Sequence, residues 1–416
     1  MPATATKNHP SKSLSALAEP LFRRYFLASS LSTMGTWITR FLLGWIAWDL
    51  SHAALWVGIA SALMLLPSFV LSPLFGVVSD RVSPRNGLLV TLSSQAVLAA
   101  VAGLVMHYGW FSLTWLLSMT LLLGSISAAH QPLRLALIPR LVSRDALPGT
   151  IGLSAIMFNL SRILGPAAAG ALLSSASAAS AFLASSLLFA GAFTALLRVR
   201  GIRGAQQATR SSVLEQLGEG LRFARRSPLI RLILLFTLVN GILGRTVIEL
   251  LPAVSGRLLE GNATTLATLT AAAGAGSICG GLLLTRYRSD DQALLHMVLI
   301  SLAASSLVLA PIYWASGIWS VGAIVLLLAM ATTMAGTGCQ ALAQLQVSDE
   351  FRGRVLSLWA VATMAAPALG SFGMGALADI FGFVPVLLSF AALSLAASYG
   401  LYRGHKRLML TNRQEI

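Results

Sequence analysis

The sequence predicts an all-α membrane protein of twelve transmembrane helices in two pseudo-symmetric six-helix bundles. Three observations predict it: long apolar runs parted by short polar turns, a one-sided distribution of positive charge, and a repeat of marked residues at one fixed offset. The 416-residue chain is 56% hydrophobic and 10% charged, with mean hydropathy +0.78. Soluble chains carry about 25% charged residues, so most of this surface is suited to lipid. A helix needs about 20 apolar residues to cross a bilayer. Twelve such runs occur, at about 25–48, 54–78, 87–107, 112–133, 150–173, 179–197, 229–252, 264–285, 293–313, 317–342, 355–378 and 382–402. The alternating ten-residue segments of a membrane β-barrel are absent from the sequence.

A net charge of +15 raises the possibility of a nucleic-acid partner, but its distribution argues against one. With the N-terminus placed in the cytoplasm, 25 of the 29 basic residues fall in the tails and in the turns of that side. The opposite turns hold only Arg257, and Arg40, Arg162 and Arg245 lie within spans. The positive-inside rule therefore predicts both termini in the cytoplasm of a bacterial cell, with the chain multi-pass in the inner membrane. Trp45, Trp48, Trp56, Trp110, Trp115, Trp314 and Trp319 gather at the outer ends, where amphipathic rings favour the lipid–water boundary. Cys279 and Cys339 both lie in apolar spans and read as small packing residues, neither a disulfide nor a metal pair.

Five segments follow: a tail (1–24), a first bundle (25–197), a linker (198–228), a second bundle (229–402) and a tail (403–416). The linker contains a capping-box sequence at Ser212–Glu215 and then one apolar face, Val213, Leu214, Leu217, Leu221 and Ala224. This is an amphipathic helix tethering the bundles at the membrane surface. The bundles repeat at an offset of 205: Arg40 onto Arg245, Gly76 and Arg81 onto Gly281 and Arg286, Asp145 onto Glu350, Gly165 and Gly170 onto Gly370 and Gly375. Both bundles start on the same side, so the repeat is parallel.

The turn after the second span, Gly76-Val-Val-Ser-Asp80-Arg81-Val-Ser-Pro-Arg85, resembles the cytoplasmic signature of the major facilitator superfamily. Gly76, Asp80, Arg81 and Arg85 match it, while Ser83 and Pro84 depart from it. The resemblance implies a gate, with Asp80 accepting hydrogen bonds at the positive N-terminus of the eleventh span. The fifth span carries Gly152, Ser161, Gly165, Pro166 and Gly170, similar to a glycine pattern associated with exporters. Small residues at that spacing allow close helix contact, and Pro166 bends the span. Together with the Arg-rich linker and the segment Gln346–Val355, these features resemble the drug:proton antiporter branch that contains the enterobactin exporter and macrolide efflux proteins. The fourth span departs from many relatives in lacking their mid-span arginine, reading Gly124-Ser-Ile-Ser-Ala-Ala-His130-Gln131-Pro132.

In that fold the first, fourth, seventh and tenth spans line a central cavity, and polar stripes agree with it. The first span presents Ser29, Thr33, Thr36 and Arg40; the fourth Thr120, Gly124, Ser127 and Gln131. The seventh presents Thr237, Asn240, Arg245 and Glu249; the tenth Thr333, Thr337, Gln340 and Gln344. Polar groups facing lipid are costly, so each stripe is expected to face a wet cavity or another helix. Arg40, Arg162, Arg245 and Glu249 are the charges well inside spans, and buried charges in membranes are paired or functional.

The expected binding residues are Thr33, Thr36, Arg40, Gln131, Asn240, Arg245, Thr337 and Gln340, with Glu249 as the proton-coupling group. Arg245 and Glu249, four residues apart, are expected to pair along one helix face. Two arginines against one glutamate favour an anionic or polar, oxygen-rich small molecule such as a siderophore. The resemblance implies a monomeric secondary exporter in the lipid bilayer, powered by a proton gradient and needing no cofactor. No phosphate loop, metal-ligand spacing or catalytic constellation marks an enzyme. A broad multidrug exporter is the alternative, and a non-transporting receptor or scaffold the reading of another class.

Overall fold

The computed structural model describes residues 17, 19–143, 146–200, 213–285, 291–347 and 349–414. The described chain is helical, in the order α1 (Pro20–Ser51), α2 (Ala54–Arg81), α3 (Pro84–His107), α4 (Leu113–Leu137), α5 (Leu147–Ser175) and α6 (Ala178–Leu197). The linker helix α7 (Val213–Arg226) leads to α8 (Pro228–Val239), a π-helical turn (Asn240–Arg245), α9 (Thr246–Glu249) and α10 (Leu251–Leu259). Then follow α11 (Ala263–Leu284), α12 (Asp291–Leu307), α13 (Ile318–Gln346), α14 (Asp349–Phe381) and α15 (Phe383–Gln414). Ten helical stretches among the described residues are long and apolar enough to cross a membrane. In a bilayer every backbone group must be satisfied within the chain, and helices do this segment by segment. Proline at the first turn starts α1, α3 and α8, where the missing N–H has no helical partner to lose. Asn262 caps α11, its Oδ1 accepting from Thr264 and Thr265 N–H at 3.0 Å.

Packing in the first six helices recurs in the last. α1 meets α5 and α6, α2 meets α4, and α3 meets α4 and α6. Correspondingly, α8 meets α14 and α15, α11 meets α13, and α12 meets α13 and α15. Two extensive helix contacts join the sets, α2 with α14 and α5 with α11, and α10 also meets α1 and α2. Small residues make these joins. A Cβ at Gly170 would sit 2.7 Å from that of Ala267, and one at Gly274 2.6 Å from Ile163. Farther along the same two helices, Gly152 and Gly281 have nothing within 4 Å, so α5 and α11 part. The molecule is thus closed at the end that carries the 52–53 and 260–262 turns.

The closed end is also latched by charge. Asp379 of α14 accepts from the first backbone N–H groups of α2, Ala54 at 3.0 Å and Leu55 at 2.8 Å. Arg257 of α10 joins it at 3.3 Å and lies 5.5 Å over the Trp48 ring. Trp48 in turn covers Gly256, where a Cβ would overlap the indole.

Several expectations are corrected here. The seventh span, expected at 229–252, crosses as Pro228–Glu249; the chain then breaks at Leu250 (φ −94°, ψ 13°) and continues, with Pro252 just beyond, as the separate helix α10 to Leu259. The segment 403–416 continues α15 as far as Gln414. The ninth span, expected at 293–313, is found at Gln292–Trp314, with its last turn, Ala310–Trp314, in 3-10 form around Pro311. The linker helix docks on α14, with Phe223 and Phe351 stacked at 4.8 Å and Ala224 buried. Its capping residue Ser212 lies outside the described residues. Cys339 is buried, whereas Cys279 is exposed, and both are free thiols.

Candidate binding cavity and its charged cluster

Between the two sets of helices lies a cavity of about 370 Å³. Its walls come chiefly from α1, α2, α4, α5 and the broken α8–α10 segment, with single residues from α3 and α14 and a short stretch of α11. It extends from Leu251 and Pro252 near the closed end to Gln131 and Arg134 near the C-terminus of α4.

α1 supplies Thr33, Thr36, Trp37 and Arg40 to one wall. The two threonine hydroxyls donate to Ser29 O (2.7 Å) and Ser32 O (2.9 Å), a common way to satisfy hydroxyls in membrane helices. Their oxygens remain able to accept from a ligand. Arg40 crosses the cavity to Glu249, Nη2 to Oε2 at 2.5 Å, with side chains 29% and 8% exposed. Its guanidinium also lies 5.5 Å from the Trp37 ring centre, and that of Arg162 lies 5.9 Å from the same ring. Trp37 is itself held, edge-on to Phe158 at 5.7 Å and with its Cβ against Gly165.

The opposite wall depends on the interrupted seventh span. Asn240 opens the π turn and donates from Nδ2 to Thr332 O of α13 at 3.1 Å. Thr246 Oγ1 donates to Gly241 O, five residues back, at 3.1 Å. A π turn inserts one extra residue and so shifts every later side chain around the helix axis. At the following break, Glu249 loses its helical acceptor role, and Ser61 of α2 donates to its carbonyl at 3.3 Å. Arg245 and Glu249 therefore both reach the cavity. The direct partner of Glu249 is Arg40, which corrects the expected Arg245–Glu249 pair. Arg162 and Arg245 still act electrostatically on the Glu249 carboxylate and on one another.

Arg134 falls inside α4 and lines the cavity, beyond the place expected of a turn residue. His130, one turn earlier, is hydrogen-bonded through Nδ1 to Thr91 Oγ1 at 2.9 Å. Thr91 Oγ1 also lies within hydrogen-bond distance of Leu88 O, at 3.0 Å. Gln95 of α3 is buried at the wall with its Oε1 unpartnered.

Of the expected binding residues, Thr33, Thr36, Arg40, Gln131 and Arg245 line this cavity together with Glu249. Asn240, Thr337 and Gln340 do not. Asn240 is buried against α13, where it secures the π turn, and Thr337 is exposed away from the cavity. Of the expected gate, Gly76, Asp80 and Arg81 lie in the last turns of α2, with side chains outside the described residues. Arg85 donates instead to Leu197 O at 2.8 Å, capping α6 within the first set of helices. Of the packing residues, Gly165, Pro166 and Gly170 are buried, Gly165 against α1 and Gly170 against α11. Gly152 makes no close contact. Sequence reasoning missed Trp37 and Arg134 as site residues, and it singled out Arg162 as an in-span charge without placing it among the binding residues. The signal for Trp37 was its place three residues before Arg40 on one helix face.

A helical membrane protein with a charged cavity between two similarly packed sets of helices has the architecture of a transporter. Comparison with solved structures agrees in fold: a nucleoside transporter, NupG, superimposes with TM-score 0.69 at 13% identity, covering 91% of this chain and 98% of that one. A bacterial homolog of the human lysosomal transporter Spinster gives 0.68 at 14% identity, covering 97% of this chain and 99% of that one. The chain belongs to the transmembrane secretion effector family of major facilitator transporters, whose model matches residues 11–412. It is similar to the staphyloferrin A transporter of Staphylococcus aureus, 24% identical over 93% of this chain and 97% of that one. It is also similar to macrolide efflux protein A of Streptococcus pyogenes, 25% identical over 79% of this chain and 82% of that one. The protein is a multi-pass membrane transporter of small molecules and not an enzyme.

Proposed function

We propose that the protein is a proton-coupled secondary exporter in the bacterial inner membrane, moving a small, anionic, oxygen-rich compound of siderophore type by alternating access. In this reading it is a monomer with both termini in the cytoplasm. Its twelve spans form two bundles, 25–197 and 229–402, joined by the 198–228 linker. The ten strongly apolar stretches are completed by α1, diluted in apolarity by its Ser/Thr stripe and Arg40, and by α2. The closed end is the outer one, and Asp80 gates the inner end at the N-terminus of α14.

The observation that carries this reading is the Arg40–Glu249 ion pair, with Arg162 and Arg245 beside it in one cavity. A partly desolvated ion pair is strong only while both partners remain. An incoming anion competes with Glu249 for Arg40, and the displaced carboxylate stays ionised beside Arg162 and Arg245 while the substrate moves outward. After release outside, Glu249 takes up an external proton and carries it inward on the return step, so proton and anion cross in opposite directions. The proton-motive force supplies the energy, and no cofactor is involved. Its electrical component favours outward movement of negative charge by about 2.3 kcal/mol per elementary charge per 100 mV. A proton entering in exchange adds to that driving force.

The similarity to a siderophore transporter and a macrolide efflux protein supports export of amphiphilic compounds. Lining by Trp37, Phe41, Met64, Phe158 and Met364 favours, as a second reading, a broad multidrug exporter with an adaptable wall. Binding to purified protein and proton-driven uptake into inverted vesicles test the proposal. Arg40→Ala and Arg245→Ala should each weaken binding of an anionic substrate, with lysine restoring only part, because it lacks the planar two-bond grip on a carboxylate. Glu249→Gln should remove the pH dependence of transport and spare binding. Unchanged affinity in both arginine variants would overturn the anion site, and unchanged pH dependence in Glu249→Gln its coupling role. A receptor or scaffold would give no vesicle uptake at all.

A further inference from the structure

We infer that the cavity is built for a substrate bearing at least two anionic oxygen groups, gripped jointly by Arg40, Arg162 and Arg245 against Trp37. The inference rests on the anion-transport reading and adds to it a charge number, a third arginine and a positioning residue.

The charge balance of the cluster leads to it. Three guanidiniums share one cavity with a single carboxylate, and that carboxylate is in contact with Arg40. Among the described residues, neither Arg162 nor Arg245 has an ion-pair partner of its own. Charges in a membrane interior are neutralised or functional, because desolvation penalises an isolated ion heavily. The Trp37 face offsets part of that penalty for Arg40 and Arg162 but neutralises neither. A monoanion therefore leaves the cluster still positive. Two further negative charges bring the four groups to neutrality.

The geometry also suits separate groups. The cluster draws Arg40 from α1, Arg162 from α5 and Arg245 from the π turn, so its donors approach from three helices. The Trp37 ring lies beside two of them, at 5.5 Å from Arg40 and 5.9 Å from Arg162, and is itself edge-on to Phe158 with its Cβ packed against Gly165. It is a positioning residue.

Carboxylates and phosphates share this chemistry, and the test separates them. Full-length protein purified in detergent is titrated calorimetrically with tricarballylate, glutarate, butyrate and methylenebisphosphonate. Tricarballylate and glutarate should bind at least tenfold more tightly than butyrate. Arg162→Gln should weaken tricarballylate binding at least tenfold while changing butyrate less than threefold, and Arg162→Lys should recover part of the loss. Trp37→Leu should weaken the multivalent acids, and Trp37→Phe, which keeps an aromatic face, should restore them. Preference for the bisphosphonate would assign the sites to phosphate-type groups, and preference for the carboxylates to polycarboxylates; either supports two anionic groups. Equal affinity for tricarballylate and butyrate would overturn the charge number and leave the anion reading standing. Wild-type affinity in a folded Arg162→Gln protein would overturn the third arginine. No binding of any acid would overturn both this inference and the anion reading.

Discussion

Removing the Asp379 carboxylate should loosen the closed end of the molecule. Its two oxygens accept the first backbone N–H groups of α2, at 3.0 and 2.8 Å, and so bind α14 to the N-terminus of a helix on the other side of the cavity. A side-chain cap of this kind contributes about 1 kcal/mol. A negative charge at the positive end of the helix adds roughly 0.5 kcal/mol. The Arg257 pair, with side chains 47% and 21% exposed, adds no more than about 0.5 kcal/mol after solvent screening. The latch thus favours the closed arrangement by about 2 kcal/mol, a factor of roughly 30 in the ratio of closed to open molecules. Asp379→Ala should shift that ratio by about this factor. Asp379→Asn, which keeps an acceptor but loses the charge, should shift it by less than about tenfold. Spin labels on Ser112 and Ser316, exposed in turns of the two helix sets at this end, report the opening by double electron–electron resonance. Cys279→Ser and Cys339→Ser provide the background. Identical distance distributions in wild type, Asp379→Asn and Asp379→Ala would refute the latch.

Other expectations concern orientation, the opposite gate and packing. A reporter fused after Ala205 or at the C-terminus should read as cytoplasmic, and one near Ser51 as external; the reverse pattern would overturn the charge-based orientation. Asp80→Asn should lower vesicle transport while leaving expression and substrate binding intact, whereas binding lost together with folding would mark a purely structural turn. Gly165→Ala places a methyl 2.6 Å from the Trp37 Cβ and 3.3 Å from Ile38 N, and overpacking of this kind costs about 1–3 kcal/mol. Thermal unfolding in detergent should show that loss for Gly165→Ala and none for Gly152→Ala, whose site is open.

The spans were legible because lipid imposes a rule on each segment separately: an apolar run of sufficient length becomes a helix whatever its neighbours do. The starts of α3 and α8 likewise follow from local proline chemistry. Less legible was the phase of a helix beyond an irregularity. The 3.6-residue period placed Asn240, Arg245 and Glu249 on one broad face and paired the last two. The π turn at Asn240–Arg245 and the break at Leu250 moved Asn240 into the packing against α13 and turned Glu249 toward α1. The tenth-span stripe misled for a related reason. Polar side chains must avoid lipid, but a neighbouring helix or an exposed surface removes them from it as well as a cavity does, and Thr337 and Gln340 lie off the cavity wall.

By itself the sequence determined which charges matter. Arg40, Arg162, Arg245 and Glu249 stood out because the cost of a charge within an apolar span is a property of its own segment. Only the tertiary structure decided how they combine. Arg40 and Glu249 are 209 positions apart in sequence, and they meet because small residues let the helix sets close at one end while the broken seventh span aims a carboxylate across the gap. Trp37, an ordinary membrane aromatic in the chain, becomes the surface shared by two arginines. Asp379, an ordinary acid near the end of its helix, becomes the cap of α2. Partner choice depends on helix phase and on the distance between helices, and both are set by packing across the whole bundle, where no local rule of sequence applies.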